Sequence, residues 1–223
     1  MELKPGYIRT ELGVIPERWD TDRVGNLAGI TTGKRNTQDR IEDGEYPFFV
    51  RSTTVERISS YSFDGEAVLT AGDGVGTGKV FHYINGKFDF HQRVYKISGF
   101  SESVDGYFFY LYFSTHFYDR IMSMTAKSSV DSVRMEMIAD MVVPLPPLPE
   151  QRAIAGALSD VGALIGTLDQ LIAKKRDLKQ AAMQQLLTGQ RRLPGFHGEW
   201  EFKRLGAMGN FSKGKGIRKD QVA

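Results

Sequence analysis

The hydrophobic positions change their period near residue 147. Before it, apolar residues fall in short runs broken by Gly, Asp and Asn: YPFFV at 46–50, AVLTAGDG at 67–74, KVFHYI at 79–84 and RVYKI at 93–97. Runs of this length, rich in β-branched and aromatic residues and bounded by turn formers, predict strands. The stretch GYFFYLYFSTHFYDRIMSM at 106–124 has an aromatic density that suits a strand, but its length predicts a buried helix. Further on, Ile154, Leu158, Val161, Ile165, Leu168 and Ile172 step alternately by four and three, and Leu178, Ala182 and Leu186 resume the stripe past Lys175. That spacing is the seam of a coiled coil.

Between the two textures lie Pro144, Pro146, Pro147 and Pro149, which hold the chain extended and suit the first turn of a helix. The pattern predicts a helix over 150–188 capped by Gly189, and 39 residues at ~1.5 Å each make a rod of roughly 58 Å. A rod of that length cannot bury its stripe against one small domain. It calls for a second helix, from another copy of this chain or from a further repeat. The expected fold class is α+β: a globular domain over 1–147 on a mixed or antiparallel twisted sheet, then a coiled-coil-forming helix over 148–190.

Residues 191–223 restart the beginning of the chain. With Trp19 set on Trp200, WDTDRVGNLAGITTGK (19–34) lies over WEFKRLGAMGNFSKGK (200–215) with five identities in sixteen positions, among them Arg23 with Arg204 and Gly25 with Gly206. Such a repeat, cut off at residue 223, leads to the expectation of either a half-length chain or an excised piece.

Composition narrows the function. The chain is long enough, at 223 residues with 41% hydrophobic, to bury a core, which excludes global disorder. There is no cysteine, so disulfides, thiolate metal sites and a cysteine nucleophile are excluded. The first residues carry charges where a secretion signal needs an apolar stretch, and no run of ~18 apolar residues occurs, so the expected location is cytoplasmic, away from membranes. Residues 150–223 hold 13 Lys/Arg against 7 Asp/Glu, a balance of +6, leaving 16 against 20, or −4, for residues 1–149. A basic end suits a polyanionic partner, and equally the solvated face of a helix.

The segment TAGDGVGTGKV at 70–80 imitates a phosphate loop, but Asp73 and Val80 stand where Gly and Ser/Thr are required. It is either a plain hairpin connection or a turn whose backbone and Lys79 approach a phosphate. Gln92 and Arg93, beside His91, are side chains that read adenine and guanine edges. Two segments, Arg51, Ser52, Thr53 and Lys127, Ser128, Ser129, place hydroxyls beside a base, as phosphate contacts do and as solvated turns do. The aromatic run 107–113 is either core or a stacking platform. The four histidines have no ligand spacing, and no nucleophile, base or metal constellation is present, so catalysis is not expected.

A globular domain that passes through PLPPLPEQRAIAGAL into a long helix ending AAMQQLLTGQRRLPGF, then restarts, resembles the specificity subunits of type I restriction-modification systems. FDGEAVLTAGDGVGTGKV and HQRVY add to the likeness, which covers essentially the whole chain. The resemblance implies a non-catalytic target recognition domain (1–147) reading one half of a bipartite double-stranded DNA site, a conserved spacer and dimerisation helix (148–190), and the start of a second recognition domain (191–223). It implies partners: methyltransferase subunits that use S-adenosylmethionine, restriction subunits that use Mg and ATP, and a second helix packed antiparallel, which in a homodimer makes the DNA site an interrupted palindrome. No cofactor is expected in this chain. The candidate DNA contacts are Lys34, Arg35, Arg51, Ser52, Thr53, Lys79, His91, Gln92, Arg93, Lys127, Ser128 and Ser129. The candidate dimer contacts are Ile154, Leu158, Val161, Ile165, Leu168, Ile172, Leu178 and Leu186. Two other readings remain: a stand-alone adenine methyltransferase or nuclease, and a coiled-coil adaptor that binds no DNA.

Overall fold

The computed structural model describes residues 3–124, 132–214 and 216. By packing, the chain divides into two units, Met1–Gly162 and Ala163–Ala223. The first unit opens with a hairpin, β1 (Tyr7–Thr10) and β2 (Gly13–Pro16), then β3 (Asp20–Arg23), the helical turn α1 (Val24–Leu27) and β4 (Gly29–Thr32). There follow β5 (Tyr46–Phe49), β6 (Glu56–Ile58), β7 (Phe63–Ala71), β8 (Phe81–Phe90) and β9 (Val94–Ser98). Helices α2 (Gly106–Ser123) and α3 (Met135–Ala139) lead to β10 (Val142–Leu145) and the long α4 (Leu148–Leu187). Strands β5, β7, β8 and β9 and both long helices arise where the two hydrophobic periods place them; the other six strands, of three or four residues each, follow no such run.

Strands β4, β9, β7, β8, β5 and β6 form one six-stranded sheet in that order, antiparallel except where β5 runs parallel to β8. Strand β7 lies between β8 and β9 and buries both faces, which is why Ala67, Val68, Leu69 and Ala71 read as a continuous apolar run. One face packs on α2. There Val68 and Ile97 meet Phe109, Phe113, Phe117 and Ile121, and Phe81 meets Phe113 edge-on at 5.6 Å. The helix is capped by the Asp105 carboxylate, which accepts from the Phe108 amide at 2.9 Å. The opposite face holds a second core of Phe49, Leu69, Phe88, Phe90 and Val94.

The sheet closes around this second core. Gly65 and Gly86 face each other across the β7–β8 hairpin with φ of +140° and +145°, a conformation that leaves the ribbon free to bend. Beyond the ends of β4 and β8, a parallel bridge joins Arg35 to His91, so the first strand of the sheet meets the fourth. Gly33 permits the approach, since a Cβ there would collide with the Phe90 and His91 carbonyls.

Helix α4 is tied to the first unit by its opening turn. Gln151 is fully buried; its amide donates to the Ser103 and Pro146 carbonyls at 2.8 Å, and its carbonyl oxygen accepts from the Asp105 amide at 2.9 Å. Glu150 accepts from Arg18 at 2.9 Å and from the Trp19 indole at 3.2 Å. From Leu158 to Leu178 the stripe is bare, with side chains 47–59% exposed, and it is wider than the spacing shows because Leu164 and Leu171 join it. Ile154 and Leu186, the outer members, are half-buried. In the second unit the helix ends as expected, with Gly189 at φ +74°. The restarted segment reproduces one element of the original: Leu205–Ala207 forms a helical turn at the positions that correspond to α1.

Candidate nucleic-acid interface

Four segments far apart in sequence converge where the curled sheet closes. The chain leaving β4 (Lys34, Arg35, Asn36) bonds to the β8–β9 turn: the Gln92 amide donates to the Arg35 carbonyl at 2.8 Å and its side chain to Asn36 at 2.5 Å. The same turn meets β5, through the His91 amide and the Phe49 carbonyl at 2.9 Å, and the β7–β8 connection, through the Gly72 amide and the Arg93 carbonyl at 2.7 Å. That connection, 72–80, is the hairpin loop that imitated a phosphate loop. Its Asp73 carboxylate lies 2.8 Å from Arg51 and 3.6 Å from Arg93. His82, from β8, donates through Nε2 to the Ser52 carbonyl at 3.0 Å and braces the fourth segment.

The structure sorts the twelve expected DNA contacts. Lys34, Arg51, Ser52, Thr53, Gln92 and Arg93 are exposed at the convergence. Arg35 belongs to the same cluster, but its guanidinium is engaged inward, donating to the buried Asp89 carboxylate at 3.0 Å and to the Ser60 hydroxyl at 2.9 Å. His91 is 5% exposed, and its Nδ1 accepts from the Arg93 amide at 2.9 Å, so the imidazole shapes the turn. Burial, with the Arg51 guanidinium nearby, pushes its pKa below the usual histidine value. Lys79 turns to the Tyr118 ring of α2, 5.3 Å from its centroid, at the flank of the cluster. Lys127, Ser128 and Ser129 lie outside the described residues. The aromatic run 107–113 is core: Phe108, Phe109 and Phe113 are buried.

Sequence reasoning missed Asp73, which draws the two arginines together, and Asp89, which anchors Arg35. Neither has a local signal, because each finds its partner only through the fold. The assembled surface offers two arginine forks, an ammonium, a side-chain amide and hydroxyls. Such donors match phosphate oxygens and the O6 and N7 acceptors of guanine. Among the described residues no group of three or more His, Cys, Asp or Glu is placed to hold a metal ion.

The sequence pattern of the type I restriction modification DNA specificity domain matches residues 16–174, a stretch that contains all four converging segments. The chain belongs to this family. Among its curated relatives are the type I restriction enzyme EcoDI specificity subunit of Escherichia coli, 30% identical over 182 residues, covering 80% of this chain and 40% of the relative, and the MjaVIII specificity subunit of Methanocaldococcus jannaschii, 27% identical over 190 residues, covering 78% and 43%. The chain thus spans less than half the length of these relatives. Two solved structures share the fold of this specificity domain. They are the type I S subunit from M. genitalium, with a TM-score of 0.59 at 16% identity over 83% of this chain and 47% of that one, and the HsdS subunit from Thermoanaerobacter tengcongensis, with 0.55 at 16% over 81% and 47%. The α+β fold class read from the sequence is the one observed.

Proposed function

We propose that this chain is the DNA-reading part of a type I restriction-modification complex. Its recognition domain reads one half of a bipartite double-stranded site through the loop cluster of Lys34, Arg51, Ser52, Thr53, Gln92 and Arg93. The observation that carries this reading is the convergence of two exposed arginines and Gln92 on one closed edge of a domain of this family. The chain supplies specificity and no catalysis; S-adenosylmethionine, Mg and ATP are used by the subunits it recruits. Helix α4 is the spacer and the docking surface for methyltransferase subunits, and its bare stripe takes a second helix antiparallel. Residues 1–147, 148–190 and 191–223 correspond on this reading to recognition domain, spacer and the start of a second recognition copy. The acidic balance of residues 1–149 makes tight DNA binding dependent on the methyltransferase partners.

The test is fluorescence anisotropy on duplex DNA carrying the methylated site of the host, using the complex reconstituted with methyltransferase subunits. Arg51→Ala and Arg93→Ala are expected to weaken binding, each either relaxing preference at one base pair or lowering the salt slope by about one. Unchanged affinity, preference and slope in the double variant would overturn the assignment of the site.

A further inference from the structure

Inside the closed sheet lies a cation that the loop cluster leaves unexplained. Lys96 occupies the middle of β9, on the face that carries Val94 and the second core, and is 9% exposed. Its ammonium sits 3.4 Å from the centroid of the Phe63 ring and 5.7 Å from that of Phe90. Among the described residues it makes no ion pair. The nearby carboxylate is already occupied: Asp89 accepts from Arg35 at 3.0 Å, from the Ser62 hydroxyl at 2.7 Å and from the Phe90 amide at 2.9 Å. Burial pushes the Lys96 ammonium below the usual lysine value, as expected of a charge stripped of water with only ring faces in return.

Lys96 lines a cavity of about 400 Å³ together with Thr32, Lys34, Arg35, Ser62 and Phe90. Three cations there face the one carboxylate of Asp89. The volume falls in the ordinary range for a small polar ligand rather than a single ion. Two flexible ammoniums, one deep and one exposed at the mouth, are the uncommitted donors of this cavity, the Ser62 hydroxyl and the Arg35 Nε being already spent on Asp89. Such a set takes an oxyanion.

We propose that this cavity binds a phosphate group, with Lys96 as its deep cation and Lys34 at its mouth. Resting on the reading under Proposed function, the phosphate is one of the DNA backbone. The cavity wall continues through Lys34 and Arg35 into the segment bonded to Gln92, so a backbone that crosses the loop cluster passes its mouth. The phosphate fixes the register of the duplex, and the arginines beyond it read bases.

The decisive variant is Lys96→Met, which keeps the unbranched stem on Phe63 and removes only the charge. Two measurements separate the parts of the proposal. In the first, the lysines of the full chain are ¹³C-dimethylated, the Lys96 signal is identified by its loss in K96M, and inorganic phosphate is titrated against chloride at equal ionic strength. A saturable shift of that signal is expected; its absence overturns the phosphate site and leaves Lys96 a packing residue. In the second, the reconstituted complex is titrated with its DNA. K96M is expected to fold with an unchanged or higher Tm, to lose about tenfold to a hundredfold in affinity, and to show a salt slope smaller by about one. A phosphate shift with unchanged DNA affinity overturns the backbone assignment and assigns the cavity to a free phosphate compound. Failure of the wild-type complex to bind DNA would defeat the function proposed above and the backbone assignment with it, whereas a saturable phosphate shift would still support the anion site.

Discussion

Each side chain in the loop cluster is committed either to building the edge or to presenting a donor. Asp73 does the first by holding Arg51 and Arg93 side by side, their side chains still 44% and 65% exposed. On the proposed function, an arginine that makes a bidentate contact to guanine is worth about 1–3 kcal/mol of discrimination, so Arg93→Ala should cost that much on the cognate duplex and little on a random one. His91 belongs to the builders. Its Nδ1 accepts the Arg93 amide and therefore carries no proton in the folded state. Burial lowers its pKa and that of His82 below 6.5, whereas the unfolded chain titrates near that value. Between the folded and unfolded values the unfolded state binds the extra protons, so stability present above pH 6.5 is lost as pH falls through the lowered pKa. The Tm is expected to be flat from about pH 8 down to about pH 6.5, to fall below that, and to level off once the pH is under both lowered values. His82→Gln with His91→Gln should flatten the drop; a Tm that rises on acidification would refute the assignment of the neutral imidazole.

At the scale of elements, Gln151 is the fully buried fastening between the domain and helix α4, beside the more exposed bonds of Glu150 to Arg18 and Trp19. Gln151 satisfies the buried Pro146 carbonyl together with the Asp105 amide and the Ser103 carbonyl, which lie nearer the surface, so Gln151→Ala leaves these groups without that partner and is expected to cost on the order of 2–3 kcal/mol. Urea denaturation reads this directly, and a change below about 0.5 kcal/mol would mean that water replaces the side chain. The long helix presents the reverse situation, with an apolar stripe from Leu158 to Leu178 that lies open to solvent. Leu164 and Leu171 widen the strict alternation of four and three into a band, which a partner helix covers better than a flat surface does. Paired antiparallel as proposed, the helices should come apart when Leu168→Asp and Ile172→Asp place charges in the seam.

For the whole molecule the outcome of that pairing sets the form of the DNA site. Sedimentation equilibrium is expected to give a dimer near twice 25.0 kDa for the unmodified chain and a monomer for the double aspartate variant. A twofold dimer carries two identical recognition domains, so its site is an interrupted palindrome, with half-sites about one or more helical turns apart. A clean monomer in the unmodified chain would instead make its site one half of an asymmetric sequence, with the second helix supplied by another part of a longer subunit.

Strands β5, β7, β8 and β9, the buried helix α2 and the long α4 were legible because each is written in local periodicity, whereas the short β1 to β4, β6 and β10 carry no such run. The hydrophobic stripe of α4 was legible for the same reason, and so was Gly189 as its cap. Which partner each charged residue takes was not. Arg35, Arg51 and Arg93 read alike along the chain, yet the fold spends Arg35 on the buried Asp89 and pairs the others with the more open Asp73. Lys96 sits one place from the end of the run RVYKI with nothing in the sequence to mark it as buried, whereas curling of the sheet encloses it between Phe63 and Phe90. Periodicity determines what a segment is and which face it buries. The partners of a charge are set by residues dozens of positions away, and only closure of the sheet brings them within reach.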